Sequence, residues 1–236
     1  MQNTEFDEAV DKHSINPGFQ MFEKRVSGMF LGEILRQSLL SLISKSNLFS
    51  GQTSSPLSKQ YGIDTSAMST IASDTSTQLD KVRDVVTGTW EIANPSYEDL
   101  KAVRLVSNAI ARRSARLAAV AVCAVSEQSG RFKDATEEKP IDIGADGSLV
   151  EFYPEYVDMC LAACDEILGQ NASKRIRIAL QKDGSGVGAA LYESCPSLFP
   201  SYLLLAAVRC ASMANDRCAL QAKKQEEEGL IWEDDK

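Results

Sequence analysis

Asn16 to Arg36 reads NPGFQMFEKRVSGMFLGEILR, and the way this stretch folds decides what the rest of the chain is built around. Asn16-Pro17-Gly18 has the form of a helix start, with Asn16 as N-cap and Pro17 at the first helical position, where its missing N–H costs nothing. Phe19, Phe22, Val26, Met29, Phe30, Ile34, Leu35, Leu39 and Leu42 then recur at three- and four-residue steps, which predicts an amphipathic helix to about Ser44. Glu23 falls on the same stripe as Phe19, Val26 and Phe30, so the periodicity places a carboxylate on an apolar face. An ionised group there is costly unless paired or given several donors. A buried Arg is one such partner, and the hydroxyls of a polyol ligand are another. Gly28 and Gly32 fall inside the same helix, where glycine costs about 1 kcal/mol relative to alanine and signals close backbone approach or tight helix packing.

Residues 46–77 are rich in Ser, Thr and Gly with few apolar anchors and read as a long loop. Asp80 to Trp90 reads as a shorter helix ending near Gly88. Ser96 and Asp99 form an S-x-x-D capping pattern that opens a helix running to about Gln128, and its LAAVAVCAV half is apolar all round, which predicts burial on every side. After the polar connector GRFKDATEEKP, the segment IDIGADGSLVEFYP alternates about an Asp-Gly pair and reads as a hairpin. A helix over Glu155–Leu168 and an alternating strand, KRIRIAL, follow. Next comes KDGSGVGAAL, a glycine turn between strand and helix. It suits a phosphate or ribose cradle and equally a plain tight turn, and it carries neither the P-loop Gly-Lys-Ser/Thr nor GxGxxG spacing. Asp146-Gly147-Ser148 by itself is a turn. Helices dominate and a few strands feed them, so the class is mixed α/β.

A chain of 236 residues with net charge −8 carries no basic surplus, which argues against nucleic acid and for small-molecule or protein partners. The N-terminus lacks a secretory pattern, and the apolar run Tyr202 to Val208 is far short of the roughly 20 residues of a membrane span. The expectation is a cytoplasmic protein without a transmembrane segment. With His13 as the single histidine, no nucleophile triad and no zinc spacing can be assembled, so no metal ligands are assigned. Cys160 and Cys164, four apart on one helix face, suit core packing or a redox pair. Arg112, Arg113 and Arg116 suit a solvated helix face or an anion site.

Four segments in order, NPGFQMFEKRVSGMFLGEILR, ARRSARLAAVAVCAV, IDIGADGSLVEFYP and KDGSGVGAAL, resemble the hexokinase family, in particular its fungal glucokinase-like branch. The resemblance spans residues 1–191. It implies a partial actin-like, ribonuclease-H-like ATPase fold, the helix-rich C-terminal half of the large domain. It also implies ATP-dependent phosphorylation of glucose or a related hexose at the 6-hydroxyl, with Mg²⁺ accompanying ATP. By the same resemblance Glu23 binds sugar hydroxyls. Gly28 and Met29 lie at an ATP-contacting turn, although many relatives carry Lys where Met29 stands. The loop at Thr53, Ser54, Ser55 and Pro56 takes the adenine-side position. Asp146, Gly147 and Ser148 match the adenosine motif, and Ser185, Gly186, Val187, Gly188 and Ala189 match the nucleotide-binding glycine turn. The family's general-base Asp, its first phosphate loop and its sugar-binding Lys segment have no counterpart among these residues, so no catalytic residue is assigned and the chain alone is expected to be inactive. A non-catalytic, hexokinase-like regulatory module with a protein partner is the alternative expectation.

One stretch departs from the family pattern. Pro196 and Pro200 interrupt the helix that KDGSGVGAAL opens, whereas joining Leu191 to Cys218 gives the uninterrupted DGSGVGAALCALQAKKQ. Residues 192–217 therefore read as an insert of retained-intron type within a domain spanning 1–224, and 225–236 as an acidic disordered tail.

Overall fold

In a computed structural model the described residues are 3–130, 140–169 and 172–181, and all but the last of them fall in one compact unit, Met1–Leu180. The order of elements is α1 (Glu5–Lys12), α2 (Glu23–Val26), α3 (Gly28–Ser46), α4 (Ser55–Ser58), α5 (Thr65–Ala72), α6 (Asp80–Asp84), α7 (Tyr97–Gln128), β1 (Ile141–Ala145), α8 (Ser148–Phe152), α9 (Tyr156–Leu168), α10 (Ala172–Arg175) and β2 (Ile176–Leu180). The glycine turn at Ser185–Ala189, the suspected insert at 192–217 and the acidic tail lie outside the described residues.

The opening stretch does not form one helix from Pro17. Gly18 has φ +79° and Gln20 φ +54°, so the chain turns through residues 16–22 before a single turn of helix, α2. Ser27 is extended (φ −78°, ψ 136°), and its side chain accepts from the Met29 N–H, making it the true N-cap of the long helix α3. Periodicity runs through this break because the stepping of Phe30, Ile34, Leu35 and Leu39 is α3's own. Leu31, Leu35 and Leu39 are fully buried, and together with Leu57, Met68, Ile71, Val86, Trp90, Leu100 and Val103 they form the main core.

Residues 46–77 are not a loop. They contain a 3-10 turn at Leu48–Gly51 and the helices α4 and α5, capped by Ser54 and Asp64. Leu48, Phe49, Leu57, Ile63, Met68 and Ile71 carry this segment into the core. Its apolar anchors are spaced by turns rather than by one helical period, so composition alone concealed them. The helix beginning at Asp80 passes into a π-helical turn over Val85–Thr89 and ends there, as expected.

The capping box predicted for α7 is present: the Ser96 hydroxyl accepts from the Asp99 N–H while the Asp99 carboxylate accepts from the Ser96 N–H. The LAAVAVCAV half is buried along one side only. Ala119 and Cys123 are covered, whereas Val120 is 44% and Val125 60% exposed. The expected hairpin is also absent. β1 pairs with β2 in parallel, Ile141 opposite Ile176 and Ala145 opposite Leu180. Parallel strands need a crossover, here α8, α9 and α10, and Asp146-Gly147 starts that crossover instead of reversing the chain. Only Gly147 has positive φ (+125°), where a type I′ hairpin turn needs it at both central residues. Ile141 and Ile176 close a second small core with Ala119, Cys123, Ala163 and Cys164. Cys160 and Cys164 are free and buried, and burial pushes them up to about 11 and about 12, which keeps both as packed thiols.

Ion pairs fasten the N-terminal helices to this frame. The buried Asp7 carboxylate accepts from Arg113 Nη2 at 2.8 and 2.7 Å and lies 4.0 Å from Arg25 Nε. Burial alone would raise the Asp7 carboxyl, but Arg113 and the Thr4 amide and hydroxyl outweigh it and hold it below the ordinary aspartate range. The folded state therefore binds this proton less tightly than the unfolded chain does. Asp7 contributes stability at neutral pH that is lost as the pH falls below about 4. Asp7→Asn is expected to melt below the wild type at pH 7, with a smaller gap at pH 3. An equal gap at both pH values in thermal unfolding would contradict this.

Candidate functional site

Glu23 stands at the start of α2 and is exposed, not buried on an apolar stripe. Phe19 and Phe22 beside it are 66% and 42% exposed. The break at Ser27 causes the difference, because it takes α2 out of the helical phase of α3 and leaves the Glu23 face open. Among the described residues no buried Arg is paired with the carboxylate; its Oε2 instead accepts from Gln20 Nε2 at 2.7 Å, and Gln20 Oε1 in turn accepts from Asn16 Nδ2 at 2.6 Å. The turn that presents this chain of amides is anchored by Asp11, which accepts from the Gly18 N–H at 2.9 Å and from Lys24 Nζ at 2.7 Å. Lys24, 2% exposed, also donates to the Asn16 carbonyl, and its hydrogen bond holds the Asp11 carboxyl below the usual range. Sequence reasoning missed both anchors. The signal available was a lysine next to Glu23 with an aspartate 13 positions upstream of it, too distant for any local rule.

Gly28 is the first residue of α3 and so stands at the N-terminus of a 19-residue helix, the end whose dipole favours anions. A Cβ at Gly28 would stand 3.2 Å from Ser148 Oγ and 3.4 Å from Leu149 Cγ. The fold thus brings the α3 start against the turn after β1, although 120 positions separate them in the sequence. Asp146, Gly147 and Ser148 are all exposed, as is Met29 at 51%. Ser54 and Ser55 lie farther along α3: Ser54 caps α4, and the α4 carbonyl of Leu57 accepts from Arg36, two helical turns beyond Gly28. Gly32 shows the close approach expected of it, packed against the backbone of Ile63–Thr65.

The parallel register adds a further placement. Ala145 and Leu180 are paired, so the Asp146–Ser148 turn leaves the carboxyl end of the sheet. Open α/β sheets bind ligands at that end. Arg116 forms a surface ion pair with Glu166 and Arg113 is taken by Asp7, so these two are engaged in structural pairs. Among the described residues no group of three or more His, Cys, Asp or Glu could hold a metal ion, and no helix is long and apolar enough to cross a membrane.

A family model described as Hexokinase matches residues 1–195. The glucokinase of Aspergillus niger is 41% identical over 203 residues, covering 81% of this chain and 40% of that protein. Hexokinase-7 of Oryza sativa subsp. japonica is 37% identical over 196 residues, covering 83% of this chain and 42% of that protein. Among solved structures, hexokinase from Schistosoma mansoni complexed with glucose superposes with a TM-score of 0.67 at 28% identity, over 80% of this chain and 40% of that one. The chain spans about two fifths of the length of the relatives it matches.

Proposed function

The chain belongs to the hexokinase family and has a partial actin-like ATPase fold, and from that premise we propose that its residues supply one wall of a site that transfers the γ-phosphoryl group of ATP to the 6-hydroxyl of glucose or a related hexose. The observation that carries this reading is the apposition of Gly28 and Ser148, which joins a helix N-terminus to an exposed Asp-Gly-Ser turn. Glu23, solvent-facing and oriented by Gln20, accepts hydrogen bonds from sugar hydroxyls. Gly28, with the exposed Met29 beside it, offers the phosphate oxygens the backbone of the α3 start, where the Met29 N–H is already capped by Ser27. Asp146, Gly147 and Ser148 receive the adenosine side, assisted by Ser54 and Ser55.

A nucleotide fits these groups. A side chain at Gly28 would close the gap to Ser148, and the dipole of the α3 N-terminus suits anionic oxygens. Mg²⁺ bound between phosphates would neutralise developing charge in the transfer. Phosphoryl transfer depends on positioning and on a base for the attacking hydroxyl. The residues here position, and none of them is assigned as the base.

The purified 236-residue chain, titrated calorimetrically with glucose and with Mg·ATP, tests this reading. Glu23→Ala is expected to weaken glucose binding at least about tenfold, the size of a lost charged hydrogen bond, and to leave Mg·ATP binding unchanged. In a coupled glucose phosphorylation assay the chain by itself is expected to show no sustained turnover. Undiminished glucose binding by Glu23→Ala, or turnover at the rate of a full-length relative, would overturn the assignment.

A further inference from the structure

The break between α2 and α3 takes from the Val26 carbonyl its helical partner. In a continuous helix the Val26 carbonyl would accept from the Phe30 N–H, but that N–H donates to the Ser27 carbonyl at 3.0 Å. The Val26 carbonyl is met instead by Ser114 Oγ of α7, which donates to it at 3.1 Å. Ser114 is fully buried, and its hydroxyl has spent its one proton on Val26. The 2.7 Å contact between Ser114 Oγ and the Tyr156 hydroxyl of α9 is therefore donated by Tyr156. Burial pushes the Tyr156 hydroxyl up to about 12, so it stays protonated and able to donate. The Tyr156 ring packs edge-on against Tyr153, which follows α8, the helix that begins at Ser148.

A two-bond chain thus runs from Tyr156 through Ser114 to the elbow at Val26 and Ser27. On one side of that elbow lies Glu23, and on the other lie Gly28 and Met29. Tyr156 also braces the element that carries Ser148. We propose that Ser114 and Tyr156 are positioning residues that lock the α2–α3 elbow and so hold the sugar-side carboxylate and the nucleotide-side helix start in one register. This inference rests on the functional reading above. Neither residue reaches a ligand; each acts through the Val26 carbonyl, and a small rotation there would move Glu23 and Gly28 relative to each other.

Ser114→Ala tests it, with Tyr156→Phe as the milder variant and Ser107→Ala as the control. Ser107 is another fully buried serine of α7, and its hydroxyl has no hydrogen-bond partner among the described residues. Amide hydrogen exchange and calorimetric titration with glucose and with Mg·ATP are read on all three and on the wild type. Ser114→Ala is expected to speed exchange selectively at Ser27–Phe30 and to weaken both ligands about tenfold, the cost of leaving a buried carbonyl unpaired. Tyr156→Phe, which keeps the bond to Val26, shifts both readouts in the same direction by less. Ser107→Ala shifts neither. If the wild type binds both ligands and Ser114→Ala binds them equally well, the inference fails while the functional reading stands. If the wild type binds neither, the functional reading fails and this inference falls with it. A uniform rise in exchange across α7, matched by Ser107→Ala, overturns it as mere loss of stability. Should Ser114→Ala not fold, Tyr156→Phe decides, and unchanged exchange at Ser27–Phe30 in that variant overturns the proposal.

Discussion

Gly32→Ala is expected to abolish the cooperative thermal transition of this chain. An added Cβ would lie 2.3 Å from the Ile63 carbonyl oxygen and 3.0 Å from both the Asp64 carbonyl carbon and the Thr65 nitrogen. All three are backbone atoms, so no flexible side-chain end can swing aside. The same gap holds a bridge: the Gly32 N–H donates to Thr65 Oγ1 at 2.9 Å, and Thr65 Oγ1 donates to the Gly28 carbonyl. Pushing α5 away from α3 would break both bonds and open the core between Leu31, Ile63, Met68 and Ile71, which are almost wholly buried. Overpacking against rigid backbone, a lost hydrogen-bonded bridge and new cavities together exceed about 4 kcal/mol, a large share of the 5–15 kcal/mol that holds a domain of this size. Circular dichroism against temperature reads the outcome directly, and a midpoint within a few degrees of the wild type would refute the packing described.

What could be read in advance divides by the range of the forces involved. The Ser96–Asp99 cap and the ends of α7 and α9 were legible because they are set within a few residues. Gly32 was legible as a close approach, since a helical glycine has few other uses, but its partner at Ile63–Thr65 could not be named from spacing. Ile141–Ala145 was legible as a strand and not as a parallel one, because its pairing with Ile176–Leu180 is decided by a crossover whose packing is non-local. The elbow at Ser27 was hidden by accident of phase: Phe19, Phe22 and Val26 continue the stepping of α3 although the backbone turns between them. That accident placed Glu23 on a buried face in the reading and at the surface in the fold. The groups proposed for the nucleotide were visible as separate turns, and only tertiary structure set Gly28 beside Ser148.

The buried acid and arginine expected at Glu23 occur one element later, at Glu33 and Arg36, and their separation predicts a severe mutant. Arg36 Nε donates to Glu33 Oε2 at 2.8 Å and Nη2 to Oε1 at 2.6 Å, with the side chains 6% and 1% exposed. Each partner also grips the following segment. Arg36 Nη1 donates to the Leu57 carbonyl at 2.7 Å, and Glu33 Oε2 accepts from the Tyr61 N–H at 2.7 Å, so the pair fastens both ends of residues 57–61 to α3. Arg36→Met keeps most of the volume but strands the Glu33 carboxylate, with Gln37 Nε2 and the Tyr61 N–H as its remaining donors. Breaking a buried pair from one side costs about 3–5 kcal/mol, because an uncompensated charge remains inside. Removing both charges avoids that term but leaves the Leu57 carbonyl and the Tyr61 N–H both unpaired, each worth about 1–3 kcal/mol, so Glu33→Met combined with Arg36→Met should recover only part of the loss. Urea denaturation of the two variants and the wild type separates these contributions. A single variant within about 1 kcal/mol of the wild type would show that the pair does not hold this segment. Since Ser54 caps the α4 turn that contains Leu57, the same variants report whether the proposed adenine-side serines depend on Arg36 for their position: nucleotide affinity should fall in Arg36→Met along with stability.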